Sequence, residues 1–69
     1  MEAESNELRT TEEVARIVRA PASTVRYWRA TGQGPAGFKV GKRVLYRVAD
    51  VEAWLEERRV ADIRSASSA

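Results

Sequence analysis

The sequence predicts a small, mainly α-helical domain with one β-hairpin, in the order helix, helix, hairpin, helix. Three observations lead to this fold class: two short stretches with apolar residues at helical spacing, a change to alternating spacing around Gly41, and an amphipathic stretch after Asp50. A chain of 69 residues buries only about 60% of the surface that its unfolded form exposes, so one domain is expected.

The first helix is predicted to run from about Thr11 to Val18. Thr10 and Glu13 have the spacing of a capping box, and Leu8 is expected to pack over the first turn. An apolar stripe at i, i+3, i+4 spacing is expected to face the core, and it consists of Val14, Ile17 and Val18.

A second helix is predicted to start at Pro21, because proline is tolerated where its missing N–H would be unpaired anyway. Gly32 is expected to end this helix as the residue after the cap. Val25 and Trp28 are three residues apart and are expected to point inward. The outer face then carries Ser23, Thr24, Arg26 and Tyr27, with Arg29 or Ala30 beside them.

The hairpin is predicted from residues 38–47, where apolar and basic residues alternate on both sides of a two-residue turn with Gly41 first. Val44 and Tyr46 are expected to face the core. Leu45 then lies on the opposite face, where core packing does not explain it.

A third helix is predicted over about Ala49 to Arg59, with acids at its start and Arg58 and Arg59 at its negative end. The predicted domain covers residues 8–59. Residues 1–7 are expected to form a disordered acidic arm, and the Ser/Ala-rich residues 60–69 a flexible tail.

The charged residues are unevenly distributed along the chain. Residues 14–49 contain eight basic side chains and no acid, although the whole chain has a net charge of only +2. Such a block gives one part of a small surface a positive potential, as expected of a protein that binds a polyanion. A solvated basic face is the alternative.

Two short helices joined by a tight turn, the second with a basic outer face, have the layout of a DNA-binding helix-turn-helix, and the hairpin lies where a wing would. Arg26 suits a bidentate contact to guanine, and Tyr27 suits a contact to phosphate or to base edges. The candidate DNA-binding residues are Ser23, Thr24, Arg26, Tyr27, Arg29, Lys39, Lys42, Arg43 and Arg47.

Structural roles are also open for several of these residues. Ser23 and Thr24 either hold a phosphate at the helix N-terminus or cap the helix. The hairpin cations either contact DNA or protect an exposed strand edge. Trp28 and Trp54 share helical stripes with aliphatic residues, which favours core packing over base stacking.

The chain contains neither Cys nor His. Disulfides and thiolate metal sites are thereby excluded, and no supported nucleophile is present, so neither an enzyme nor a bound cofactor or metal is expected. The apolar runs are far shorter than the roughly 20 residues that span a bilayer, and the N-terminus is acidic. We therefore expect no membrane association and a cytoplasmic location.

Four segments in this order and spacing resemble the excisionase-like, MerR-type winged helix-turn-helix family, and the resemblance covers residues 8–59. The segments are TTEEVARIV at 10–18, STVRYW at 23–28, VGKRVLYR at 40–47 and DVEAWL at 50–55. The resemblance implies that the second helix enters the major groove and that the wing contacts the backbone or minor groove. It also implies recognition-helix contacts from Thr24, Arg26 and Tyr27, with Lys42 and Arg43 at the wing tip.

Two features depart from that family. Many relatives have a Gly in the turn and a Ser cap before the second helix, where this chain has Arg19 and Pro21. The long C-terminal coiled-coil helix and the Cys residues of full-length MerR-type regulators are missing. This difference argues against sensing of a small-molecule effector and against the mode of dimerisation of those regulators.

The leading hypothesis is a phage excisionase, a DNA-bending accessory factor that controls the direction of integrase-mediated site-specific recombination. Its expected partners are double-stranded DNA, an integrase and neighbouring copies of itself on DNA, at the nucleoid of a bacterial host. A small MerR-like transcription regulator is the alternative. A third hypothesis is a protein-interaction module whose basic face docks an acidic partner, with Leu45 and Ile63 as apolar anchors.

Overall fold

The computed structural model describes residues 7–68. Its elements, in chain order, are β1 Leu8–Thr10, α1 Thr11–Val18, α2 Ala22–Ala30, β2 Gly37–Val40, β3 Arg43–Arg47 and α3 Val48–Ser68. The predicted fold class, mainly α with a small hairpin, is confirmed. We call β2, β3 and their connecting turn the wing. The acidic arm predicted at residues 1–7 lies outside the described residues except for Glu7.

The first helix has the predicted bounds and the predicted cap. The Glu13 backbone N–H donates to Thr10 Oγ1 at 3.2 Å, and the Thr10 N–H donates to Glu13 Oε1 at 2.9 Å. These two bonds complete a capping box. At the other end Arg19 adopts the left-handed conformation with φ 61°, and the Ala20 N–H donates to the Ala15 carbonyl at 3.0 Å. The tight turn therefore forms although Arg19 replaces the glycine usual at such a position.

The second helix begins one residue later than predicted, because Pro21 is its N-cap and not its first helical residue. Among the described residues no side chain caps α2, which contradicts the capping alternative for Ser23 and Thr24. Thr31 is the C-cap, and Gly32 follows with φ 77°, so the predicted glycine stop is confirmed.

A strand that the sequence did not reveal joins the hairpin. β1 pairs antiparallel with β3, with Leu8 opposite Arg47 and Thr10 opposite Leu45, so the sheet order is β1-β3-β2. Leu8 is 42% exposed in this strand, which is an edge of the sheet, and its packing over the first turn of α1 stays a prediction. A three-residue strand is held by tertiary pairing and gives no periodic signal of its own.

The wing has the predicted turn and the predicted core residue. Gly41 has φ 63°, as a tight hairpin turn requires, and Tyr46 is 1% exposed. The Tyr46 ring lies against Gly37, where a Cβ would approach the ring carbon Cε2 to 2.7 Å. Leu45 pairs with Phe38 and with Thr10, so it is part of an outer sheet face rather than of the core.

The buried core lies between the helices and the sheet. Among the described residues it consists of Val14, Ala15, Val25, Tyr46 and Val51. Two expectations need correction here, because Ile17 is 44% exposed and Trp54 packs on Trp28 with ring centroids 5.2 Å apart, beside the core and not within it. Trp28 itself is partly buried against the core, as expected.

The third helix has 21 residues, nearly twice the predicted length, and runs to Ser68, so the end placed at Arg59 is wrong. The two arginines do not end it, because Arg59 pairs with Glu56 one turn back at 2.7 Å and neither Gly nor Pro follows. This hydrogen bond and the charge of Arg59 lower the pKa of the Glu56 carboxyl. Within residues 7–68, no helix has the length and apolar character needed to cross a bilayer.

Candidate nucleic-acid interface

A groove of about 470 Å³ separates α2 from the wing, and we call it the wing groove. Arg26 and Arg29 line it from α2, and Lys42 and Arg43 line it from the wing. The other lining residues are Thr10, Thr11, Glu12, Ala30, Val44 and Tyr46. Four cations and one anion give this concave surface an excess of positive charge, which attracts a polyanion.

The helical side of the groove follows from the way α2 packs. Val25 is 1% exposed and directs the helix onto the core, which leaves Arg26, Arg29 and Ala30 on the side that faces the wing. An α-helix with side chains is about 10–12 Å across, which matches a major groove about 12 Å wide. The exposed side of α2 is thus suited to enter duplex DNA.

Arg26 is the best-placed base-reading candidate, and it has a partner. Its Nη2 donates to Glu12 Oε2 at 2.8 Å, although both side chains remain about 60% exposed. Glu12 was missed because the pair is separated by 14 residues, and an acid in the first turn of a helix is fully explained by the helix dipole. Only the packing of α1 on α2 brings the two side chains together.

The wing side of the groove depends on the hairpin turn. The turn at Gly41 carries Lys42 directly after it, and Arg43 begins β3, so both cations are exposed at the tip. Flexible basic side chains at a hairpin tip suit phosphate contacts, which need charge and reach rather than a fixed hydrogen-bond pattern.

The remaining predicted contact residues lie outside the wing-groove lining. Tyr27 is 62% exposed on α2, and Ser23 and Thr24 are in the uncapped first turn of the same helix. On the sheet, Lys39 pairs with Val44, while Arg47 pairs with Leu8 on the face opposite Tyr46. The structure thus gathers Arg26, Arg29, Lys42 and Arg43 in one site and leaves these five residues around it.

Two helices at a tight turn, a wing and a cationic groove between them define a winged helix-turn-helix DNA-binding protein. The sequence matches the helix-turn-helix domain family over residues 10–59, and the chain belongs to that family. The family includes excisionase-like DNA-binding proteins, which agrees with the resemblance found in the motifs. The comparison with curated proteins found no match, and neither did the comparison with solved structures.

Family membership assigns the chain a helix-turn-helix function with double-stranded DNA as the partner. Domains of this family are typically non-enzymatic.

Proposed function

We propose that the protein is an excisionase-type accessory factor, which binds DNA at adjacent sites, bends it, and directs an integrase toward excision in a bacterial cell. The observation that carries the proposal is the wing groove, where Arg26 and Arg29 from α2 face Lys42 and Arg43 from the wing. Of the four cations in this groove, the proposal assigns a base contact to Arg26 alone. A protein with so few base contacts gains selectivity from DNA shape and from repeated sites.

Within the proposal, the residues have distinct roles. Arg26 reads a guanine edge, and Tyr27 contacts a base or sugar beside it. Lys42 and Arg43 hold the backbone from the wing, Arg29 adds charge inside the groove, and the uncapped first turn of α2 with Ser23 and Thr24 receives a phosphate. Lys39 and Arg47 contribute to the field around the site rather than to direct contacts.

The salt dependence of binding tests the groove directly. Four phosphate contacts give a slope of log K against log salt of about −4, and replacing Lys42 with Ala is expected to flatten that slope by about one unit. Affinity should fall about equally for all sequences, since a phosphate contact does not read bases. Fluorescence anisotropy at several salt concentrations measures both quantities.

Arg58→Ala is the matched control for this experiment, because it also removes one exposed positive charge but from α3, outside the wing groove. Its slope should remain that of the unaltered protein. A slope that Lys42→Ala leaves unchanged would remove the wing from the interface.

The small transcription regulator remains the second candidate, and the length of α3 favours it. This helix continues nine residues past Arg59 and exposes 49% of Ile63, so it offers a surface on which two copies can pair before they meet DNA. The excisionase proposal requires the opposite order, in which single copies assemble on DNA.

Sedimentation and DNA titration distinguish the two functions. The excisionase proposal predicts a monomer in the absence of DNA and a higher affinity per site on duplexes with tandem sites than on a duplex with one. Circular-permutation gels should show a bend that grows with the number of occupied sites. A stable dimer without DNA, or equal affinity per site on the two duplexes, would favour the regulator.

A further inference from the structure

Glu12 occupies an unusual place for an acid in a DNA-binding surface. Among the described residues that line the wing groove it is the one carboxylate, and four cations line the same groove. It lies in the first turn of α1, and its Oε2 accepts a hydrogen bond from Arg26 Nη2 at 2.8 Å. A carboxylate here lowers the attraction of the groove for DNA in general, so it needs an explanation beyond affinity.

The hydrogen bond leaves Arg26 able to read a base. A guanidinium has five N–H donors, and Glu12 accepts from Nη2 alone. Enough donors remain for the two parallel bonds that arginine makes to O6 and N7 of guanine. Since an exposed arginine otherwise samples many rotamers, the bond to Glu12 also reduces the entropy that Arg26 loses on binding.

The charge of Glu12 affects the two possible DNA contacts of Arg26, to a phosphate and to a guanine edge, differently. A phosphate brings a full negative charge close to the carboxylate, whereas a guanine edge presents neutral acceptor atoms. The same acid therefore disfavours backbone contacts at this point of the groove and tolerates a base contact.

We propose that Glu12 is a specificity-determining residue, which positions Arg26 for a guanine edge and keeps phosphate away from it. The inference rests on the proposed DNA contact through the wing groove. It assigns the acid a function in selectivity and predicts that removing its charge makes the protein a stronger but less selective DNA binder.

The test compares Glu12→Gln with the unaltered protein on two duplexes of equal length, one selected from a random pool and one with a scrambled sequence. The preference for the selected duplex is expected to fall about tenfold, with tighter binding to the scrambled duplex. On scrambled DNA the slope of log K against log salt should steepen by about one unit, since one more phosphate is contacted.

Glu56→Gln is the matched control, because Glu56 also forms an exposed ion pair with an arginine, with the same side-chain exposures of 60% and 59%, but outside the wing groove. It removes the same charge and should leave the preference unchanged. If the two variants behave alike, net charge explains the effect and the inference about Glu12 is wrong.

A double variant shows whether Glu12 acts through Arg26. In an Arg26→Ala background, Glu12→Gln should no longer change the preference for guanine at any position of the selected duplex. A merely structural role in α1 would instead lower the melting temperature and leave the base preference intact. If the unaltered protein itself prefers no duplex, the proposed function fails. If it has a preference that Glu12→Gln keeps, only this inference fails.

Discussion

Replacing Tyr46 with Ala is expected to leave the chain largely unfolded at room temperature. Tyr46 is the largest fully buried side chain among the described residues, and it joins the sheet to the helical core. Truncation of a buried aromatic residue costs about 3 to 5 kcal/mol, which is close to the whole stability of a domain this small. Far-UV circular dichroism during urea titration measures the loss.

Phe38→Ala is the matched control, since Phe38 is an aromatic residue of the same sheet but is 38% exposed on the outer face. Its effect should be much smaller, and Tyr46→Phe, which keeps the ring against Gly37, should remain folded. A folded Tyr46→Ala protein with stability near that of the unaltered chain would contradict the placement of the core between sheet and helices.

Replacing Arg26 with Ala is expected to weaken binding to the preferred DNA site by about 1 to 3 kcal/mol and binding to random DNA much less. The larger loss on the preferred site comes from the bidentate base contact that disappears, whereas the Glu12 carboxylate, left without its partner, weakens binding to both duplexes. Binding isotherms on both duplexes at one salt concentration give the difference.

Two further variants test this interpretation, one at Arg26 itself and one as a control outside the groove. Arg26→Lys keeps the positive charge but loses the planar guanidinium group that makes two parallel hydrogen bonds. Random DNA should therefore be bound normally, while the preference for the selected site falls. Arg59→Ala removes an arginine from the corresponding pair with Glu56 outside the groove and should leave the preference intact. Equal losses for Arg26→Ala on both duplexes would make Arg26 a phosphate contact.

Local signals in the sequence were enough for most of the fold. The capping box at Thr10 and Glu13, the glycine stop at Gly32 and the turn at Gly41 each depend on residues close together in the chain, and the structure confirms all three. The end of α3 could not be predicted, because Arg59 is compatible both with a helix end and with an interior ion pair to Glu56.

The candidate site was predictable as a set of cations but not as an arrangement. The basic segment of the sequence indicated the residues that line the wing groove, yet nothing in it separates Arg43, which lines the groove, from Arg47 at the other end of β3, which does not. That distinction depends on which end of β3 lies beside α2 in the folded domain. The pair of Glu12 and Arg26 depends on helix packing across 14 residues and had no local signal.

Thr10 links the wing to the helices, and this link affects how the protein can adapt to DNA. It is the last residue of β1, opposite Leu45 in the wing strand β3, and its hydroxyl also caps α1, which packs against α2. The wing and α2 are thereby connected through one residue, which restricts changes in the distance between them. In the proposed complex, two contacts held at a restricted distance do not follow an irregular duplex, so the DNA has to deform for a close fit. Sequences that deform easily are then favoured at steps that no side chain touches.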